Sequence, residues 1–470
     1  MQIENSHNGP TLIPVENTGD KVFSASIHEK ADFIQAIRNV LPDNVQQAPT
    51  IGQIIQILEK DHVLHIINAD VAADTYAKFI QTTENKWTVY AAIKAMHNTI
   101  ARRFNKDFNS RFEVASGGEI ERCIDLGIPG SRLLYTNPPK MKSDLILAVS
   151  YGVQRYVIDT SAQLQKLHEV MQQLNANFTP EILIRIGSGN IENHNVDGSF
   201  DKRFGIPSTQ AFDLIKSVSS LGYKPIGLSF HVGTHKNDPD AWDRPIKMAA
   251  TVYKQAHDAG ITLDCIDIGG GFPSSISSDT RSIETFYHTI NQSLHRSFNG
   301  KPPAVICEPG RALCGTSGIT LGKVIDVKYQ DEQIVTVNTG FYNAGLILGI
   351  GLRPLFFRAA NQDFLQEDRD DVSRFSLPAP LVADKHAISS SFYGLAGASL
   401  DTPFSFYDAV KAPALQEGDL IIVLGTGAYA TDLQTNWCSI PQPLLLIVEN
   451  NAARIPREKS PKISNINATP

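Results

Sequence analysis

Thr88-Val89-Tyr90-Ala91-Ala92-Ile93-Lys94 is an apolar, strand-forming run that ends on a lysine. Taken alone, such a lysine reads as a strand end whose charged head snorkels to water. Its neighbours along the chain repeat the form. Runs of the same kind occur at Phe112-Glu113-Val114-Ala115-Ser116, Arg132–Tyr135, Tyr156–Asp159, Ile182–Ile186, Ile226–His231, Cys265–Ile268 and Ala304–Cys307, and Val63–Ile67 precedes them all. Amphipathic stretches lie between them, such as Tyr76–Ile80, Ser143–Tyr151 and Ser161–Leu174. About eight strands alternating with helices over roughly 250 residues is the signature of a (β/α)8 TIM barrel. In that fold chemistry gathers at the C-terminal ends of the strands, where Lys94, Ser116, Asn137, Asp159, Arg185, His231, Gly269 and Glu308 fall.

Three of these strand ends carry more than one suggestive residue. Leu228-Ser229-Phe230-His231-Val232-Gly233-Thr234 ends on a histidine. Leu263–Pro273 runs into Gly269-Gly270-Gly271, whose backbone N–H groups can converge on an anion with no Cβ in the way. Ala304-Val305-Ile306-Cys307-Glu308-Pro309-Gly310-Arg311 ends on an acid, a turn and an arginine that can back those amides with a charge-assisted bond. A glycine run alone is as consistent with a plain turn, His231 with a core histidine, and Glu308 with a turn cap. Together with a lysine that can form a Schiff base, they suit an aldehyde cofactor with a phosphate and a ring nitrogen to be kept protonated.

The ordered set Lys94 in Tyr90–Asn98, Phe112–Ser116, FHVGT, DIGGGFP, EPGR and Gly427-Ala428-Tyr429 resembles the fold-type III pyridoxal-phosphate decarboxylases, which act on ornithine, lysine, arginine and diaminopimelate. The resemblance runs from about residue 63 to about residue 450. It implies pyridoxal 5'-phosphate on Lys94, His231 stacked on the cofactor ring and Glu308 at the pyridine nitrogen. It also implies Gly269, Gly270, Gly271, Gly310, Arg311 and Tyr429 around the phosphate, with Thr234 nearby where the family often has serine. Glu113 stands where many members have aspartate. Arg185 matches a family arginine that could hold the acids around the ring, or it is an ordinary buried ion-pair member. Asn137-Pro138-Pro139-Lys140 resembles a family turn of structural role.

The pattern breaks in one place. Where the family has Gly-x-x-Cys-(Asp/Glu)-x-x-Asp, a segment contributed by the partner subunit, this chain has Gly394-Leu395-Ala396-Gly397-Ala398-Ser399-Leu400-Asp401. The resemblance gives that cysteine the proton delivery that follows loss of carbon dioxide, and gives the acid the far end of the substrate; of these groups only Asp401 remains. Gly351-Leu352-Arg353-Pro354-Leu355-Phe356 is similar to a turn of the diaminopimelate-type members, whose arginine holds a substrate carboxylate. Arg353 is otherwise a surface charge before a proline. Arg353 and Asp401 are therefore the candidate substrate contacts. A non-standard amino acid with a distal carboxylate or polar group, in a specialised biosynthetic pathway, is the expected substrate. Other chemistry at Cα, such as racemisation, and a non-catalytic homologue that binds a protein partner are the alternatives. A homodimer with a shared site is implied by the same resemblance.

Size and composition set the remaining bounds. At 470 residues two domains are expected. The expected division is loose ends at 1–20 and 456–470, a barrel over 63–320 and a β-rich, sandwich- or barrel-like domain over 321–455, which the resemblance extends to 21–62. Residues 360–380 read as a polar surface insertion. Hydrophobic and charged fractions of 42% and 19% are ordinary for a globular protein, and a net charge of −7 without a basic patch argues against a nucleic-acid partner. There is no apolar run long enough for a membrane span. Met1–Asn5 lacks the start of a secretory signal. The scattered Cys123, Cys265, Cys307, Cys314 and Cys438, and thirteen histidines without HExxH spacing, point to a cytoplasmic protein with neither disulfides nor a metal.

Overall fold

A computed structural model describes residues 35, 37–42, 44–49, 51–188, 203–276, 280–346, 352–357, 388–395, 410–412 and 414–455. The expected ends, the 360–380 insertion, residues 396–401 and the Arg353 side chain lie outside them. Eight parallel strands close a barrel in chain order: β2 (Trp87–Ala92), β3 (Arg111–Val114), β4 (Leu133–Tyr135), β5 (Arg155–Ile158), β6 (Glu181–Arg185), β7 (Lys224–Ser229), β8 (Cys265–Asp267) and β9 (Ala304–Cys307). Strand alternation divides their side chains between two cores. Tyr90, Leu134, Val157, Leu183, Ile226, Cys265 and Ile306 fill the barrel interior, while Val89, Phe112, Tyr135, Tyr156 and Ile184 face the surrounding helices.

Several of the connecting helices are started by side chains that satisfy their first N–H groups. Ser116 caps Gly117–Asp125, Thr160 caps Ser161–Gln173 and Ser282 caps Ile283–Ser297. The acids at the first turns of the first and third of these, Glu119 and Glu284, also suit the positive end of the helix dipole.

The second unit is a nine-stranded sheet in the order β14-β13-β11-β10-β1-β16-β17, with β15 paired to both β10 and β12. Its strands are β1 (Leu64–Asn68), β10 (Gly318–Tyr329), β11 (Gln333–Val337), β12 (Arg353–Phe357), β13 (Ile388–Gly394), β14 (Val410–Ala412), β15 (Leu420–Leu424), β16 (Leu444–Glu449) and β17 (Ala452–Arg454). The run at 63–67, expected to open the barrel, is instead β1 of this sheet, antiparallel to β10 and parallel to β16. The barrel strands begin at Trp87. The physical reason is that β1 is buried on both faces, with Leu64 and Ile66 in the core of the sheet and Ile67 in the core of the barrel. A fully apolar run of this kind reads the same in either setting. The Ile51–Glu59 helix packs on this sheet through Ile54 and Leu58, joined by Ile37, Val40 and Leu41. No helix among the described residues is long and apolar enough to cross a membrane.

Candidate active site

The barrel mouth is built by residues that immediately follow its strands. Lys94 sits in a single 3-10 turn, Ile93–Ala95, directly after β2. Register pairs Ala92 of β2 with Glu113 of β3, so the lysine and the acid leave neighbouring strands at the same height. Phe112 and Val114 point outward into the helix layer, and alternation turns Glu113 inward, where its side chain is 1% exposed. Lys94 Nζ donates to Glu113 Oε1 at 2.7 Å and lies 2.5 Å from Oε2. Thr136, one residue beyond β4, donates its hydroxyl to Glu113 Oε1. Burial alone would lower the Lys94 pKa, but Glu113, helped by Tyr429 and Glu119, outweighs it and holds the ammonium above the usual lysine range.

Across the mouth stand His231, Arg185, Asp267 and Glu308. The Gly233 N–H donates to His231 Nδ1 at 3.0 Å, which leaves the ring proton on Nε2. Burial, then Arg185 and Lys94, lower the His231 pKa to about 3, so its ring is neutral. Arg185 ends β6 and is 7% exposed. Asp267, fully buried at the end of β8, accepts the Gly269 N–H at 3.0 Å through Oδ1. Glu308 follows β9. Burial raises both carboxyl pKa values, and the neighbouring Asp267 charge raises that of Glu308 further. The two carboxyl groups therefore keep a proton available at the floor of the site, and Glu308 Oε1 and Asp267 Oδ2 have no partner among the described residues.

The glycines are where three strand-end loops touch. A Cβ on Gly270 would sit 2.5 Å from the Glu308 carbonyl oxygen, and one on Gly271 would sit 2.4 Å from that of Gly233. Gly271 also has φ +97°, a conformation that L side chains rarely adopt. Gly269 lies one residue earlier, against the Phe230 carbonyl. Gly310 faces the Tyr429 hydroxyl, and the Arg311 guanidinium lies 5.0 Å over the Tyr429 ring. Tyr429 itself has φ +69°, and its N–H donates to the Ala95 carbonyl at 2.9 Å, tying the C-terminal unit to the lysine turn. Arg311 is 5% exposed and its Nε has no partner among the described residues; His235 Nδ1 and Ser274 Oγ are likewise buried without one. Thr234 lies half-buried in the loop after β7. Buried donors without acceptors, beside glycines that leave backbone open, fit a phosphate; a raised acid pair fits a pyridine nitrogen; and the lysine fits an aldehyde.

The expected set is thus largely brought together. Lys94, Glu113, Arg185, His231, Gly269, Gly270, Gly271, Glu308, Gly310, Arg311 and Tyr429 all occur at this mouth. Arg353 pairs with Leu424 through its backbone in β12, while its side chain and Asp401 lie outside the described residues. Lys140 anchors its turn by donating to the carbonyls of Asn137 (2.6 Å) and Val157 (2.5 Å), with burial lowering its pKa to about 7. Asp267, Thr136, Glu119, His235 and Ser274 were not singled out from the sequence. Asp267 carried a signal, an acid inside the buried run Ile266-Asp267-Ile268. A cleft of about 600 Å³ opens beside the lysine, lined by Lys94, His97, Asn98, Glu119, Arg122, Tyr429, Asp432 and Leu433. Arg122 and Asp432 pair across it at 2.7 Å.

Comparison with known proteins gives this mouth its context. The lysine/ornithine decarboxylase of Selenomonas ruminantium is 27% identical over 345 residues, 73% of this chain and 79% of the relative. The diaminopimelate decarboxylase of Methanothermobacter thermautotrophicus is 24% identical over 407 residues, 84% of this chain and 89% of the relative. The arginine decarboxylase structure of Paramecium bursaria Chlorella virus superposes with a TM-score of 0.66 at 21% identity, over 85% of this chain and 99% of that one, and shares the fold. Residues 70–315 match the family described as pyridoxal-dependent decarboxylase, pyridoxal binding domain. With the barrel, the lysine and the phosphate-fitting cradle in place, the chain belongs to the pyridoxal-dependent decarboxylases.

Proposed function

We propose that Lys94 is the lysine that bears pyridoxal phosphate in this amino-acid decarboxylase, and that its substrate carries a carboxylate or another polar group at the far end. The observation that carries the first part is the Lys94 nitrogen within 2.5–2.7 Å of the Glu113 carboxylate at the mouth of the barrel, near enough to His231 to lower its pKa. Once bound, the cofactor supplies an electron sink for the pair left on Cα as the carboxyl group departs.

The chain's own residues make that chemistry specific. Glu308, whose carboxyl pKa is raised by burial and then by Asp267, would stand at the ring nitrogen of the bound cofactor and hold a proton there. Arg185 offsets the two acids, and burial, with Arg185 second, keeps His231 neutral, so an uncharged imidazole could lie against the ring. Arg311, the glycines Gly269, Gly270, Gly271 and Gly310, and Tyr429 hold the phosphate, with Thr234 beside them. Glu113 holds the lysine proton.

The substrate reading rests on the sequence of the 394–401 segment, where Gly397 and Ala398 offer no carboxylate to an ammonium group, and on Arg353-Pro354. Diaminopimelate, which the Methanothermobacter relative's name gives as its substrate, has a carboxylate at its far end. A homodimer sharing the site, with Asp401 reaching across, belongs to the same proposal. The test is carbon dioxide release from a panel of L-ornithine, L-lysine, L-arginine, L-glutamate and meso-diaminopimelate, with sedimentation of the same sample. Fastest release from one of the two dicarboxylic amino acids is expected, from a dimer. Fastest release from L-ornithine or L-lysine would defeat the substrate reading, and a monomer of full activity the shared site.

A further inference from the structure

A phosphate ester brings a charge of about −2 and three strong acceptor oxygens at neutral pH, and Arg311 answers one of those charges. The loop after β7 offers a second group. It grips Gly271 from both sides: a Cβ there would lie 2.4 Å from the Gly233 carbonyl oxygen, and the Gly271 carbonyl accepts the Lys236 N–H at 2.8 Å. His235 lies between these two contacts, with φ +48°, and its Nδ1 is buried without a partner among the described residues. Burial, then the Arg311 charge, lowers its pKa to about 4. Lys236, the next residue, acts on His231, and Asp238 lies 3.9 Å from Arg281. Ser274 comes from the glycine loop itself, three residues past Gly271, and its Oγ is also buried without a partner. A Cβ on Gly315 would meet Ser274 Oγ at 2.7 Å and Arg311 Cγ at 3.5 Å, so the hydroxyl and the arginine stem line one spot. A cation beside an unpartnered histidine is unfavourable for an imidazolium until an anion joins them.

We propose that His235 is a further residue holding the cofactor phosphate, through Nδ1, that it takes up a proton as the dianion binds, and that Ser274 donates its hydroxyl beside Arg311. The inference rests on Arg311 and the three glycines holding the phosphate. The proton comes from solvent and stays on the imidazole, so the bound phosphate remains a dianion. Binding raises the histidine pKa above its value in the free protein. Between those two values phosphate affinity therefore falls as pH rises, by about tenfold per unit at most.

The test is calorimetric titration of the stripped, full-length protein at pH 7 with pyridoxine 5'-phosphate and, separately, with pyridoxine, in two buffers of different ionisation enthalpy. Neither ligand has an aldehyde, so Lys94 does not react with it. The difference in protons taken up between the two ligands counts the proton linked to the phosphate. Wild type should take up roughly half to one proton. His235→Asn should take up almost none and bind pyridoxine 5'-phosphate about tenfold more weakly, because asparagine tolerates the same φ and can still donate, but does not titrate. Ser274→Ala should keep the proton and lose several-fold in affinity for the phosphate ligand alone. No phosphate-linked uptake in wild type, or equal uptake in His235→Asn, overturns the proposal. Phosphorus NMR of the wild-type complex supplies a second measurement. The bound ester should hold the dianion shift from pH 6.5 to 8.5, and a shift that titrates in that range places the proton on phosphate and overturns it. Equal wild-type affinity for the two ligands would remove the phosphate reading beneath it, whereas phosphate preference without uptake removes the role of His235 alone.

Discussion

Replacing Gly270 with alanine perturbs the site by one methyl group, and its size can be worked from the structure. The added Cβ would lie 2.5 Å from the backbone carbonyl oxygen of Glu308. An ordinary contact is about 3.5 Å, so the loop after β8 and the end of β9 must separate by roughly 1 Å. Neither atom is at the end of a flexible side chain, and overpacking of this kind costs about 1–3 kcal/mol. The same displacement moves Glu308 from the ring nitrogen and opens the glycine loop near Arg311. Affinity for pyridoxal phosphate should therefore fall at least tenfold, with a lowered melting temperature. The assay is absorbance titration of the stripped protein with pyridoxal phosphate, alongside calorimetry. Gly118→Ala is the control: nothing lies within 4 Å of its added Cβ, and in the Gly117–Asp125 helix alanine should be neutral or stabilising by under about 1 kcal/mol. Cofactor affinity in Gly270→Ala equal to that of Gly118→Ala would refute the reasoning.

Two further outcomes are expected. Arg311→Met removes a buried cation whose Nε has no protein partner, so pyridoxal phosphate should bind about 100-fold more weakly, in keeping with roughly 1.5–3 kcal/mol for a charged hydrogen bond, while pyridoxal without its phosphate loses little. Equal losses for the two ligands in a titration would contradict a phosphate role. His65 is fully buried against Thr320, and burial, then His97, lowers its pKa to about 3. The folded state thus binds fewer protons than the unfolded state below pH 6.5. This stability is present above that pH and is lost as pH falls toward 3, amounting to about 1.4 kcal/mol at pH 5.5 from His65 alone. Urea unfolding at pH 7.5 and 5.5 should show the loss, and His65→Leu should show a smaller one; an identical pH dependence would count against it.

The barrel was legible because each strand, its terminal residue and the helix after it repeat one pattern, and because Lys94, Arg185, His231 and Glu308 lie within two positions of strand ends. Lys94 and Glu308 could be placed at the barrel mouth by that rule, whereas Arg311, four residues past β9, needed the turn before it and the resemblance. β1 could not, since a strand buried on two faces carries no mark of its partners. Thr136 and Ser274 escaped notice because a hydroxyl in a loop is ordinary until a buried carboxylate or an unpartnered donor is found beside it. Asp267 was hidden by its own glycines, which drew the reading toward phosphate, although its burial beside Glu308 makes it half of the proton-holding pair. Glu119, Arg122 and Asp432 meet only through the cleft, and their separation in sequence gives no warning of it.

Which lysine bears the cofactor decides the roles of every residue around it. Freshly purified protein reduced with borohydride, digested and mapped by mass spectrometry should carry one pyridoxyl group, on the peptide containing Lys94. A label on another lysine, or none in protein that still releases carbon dioxide, would contradict it.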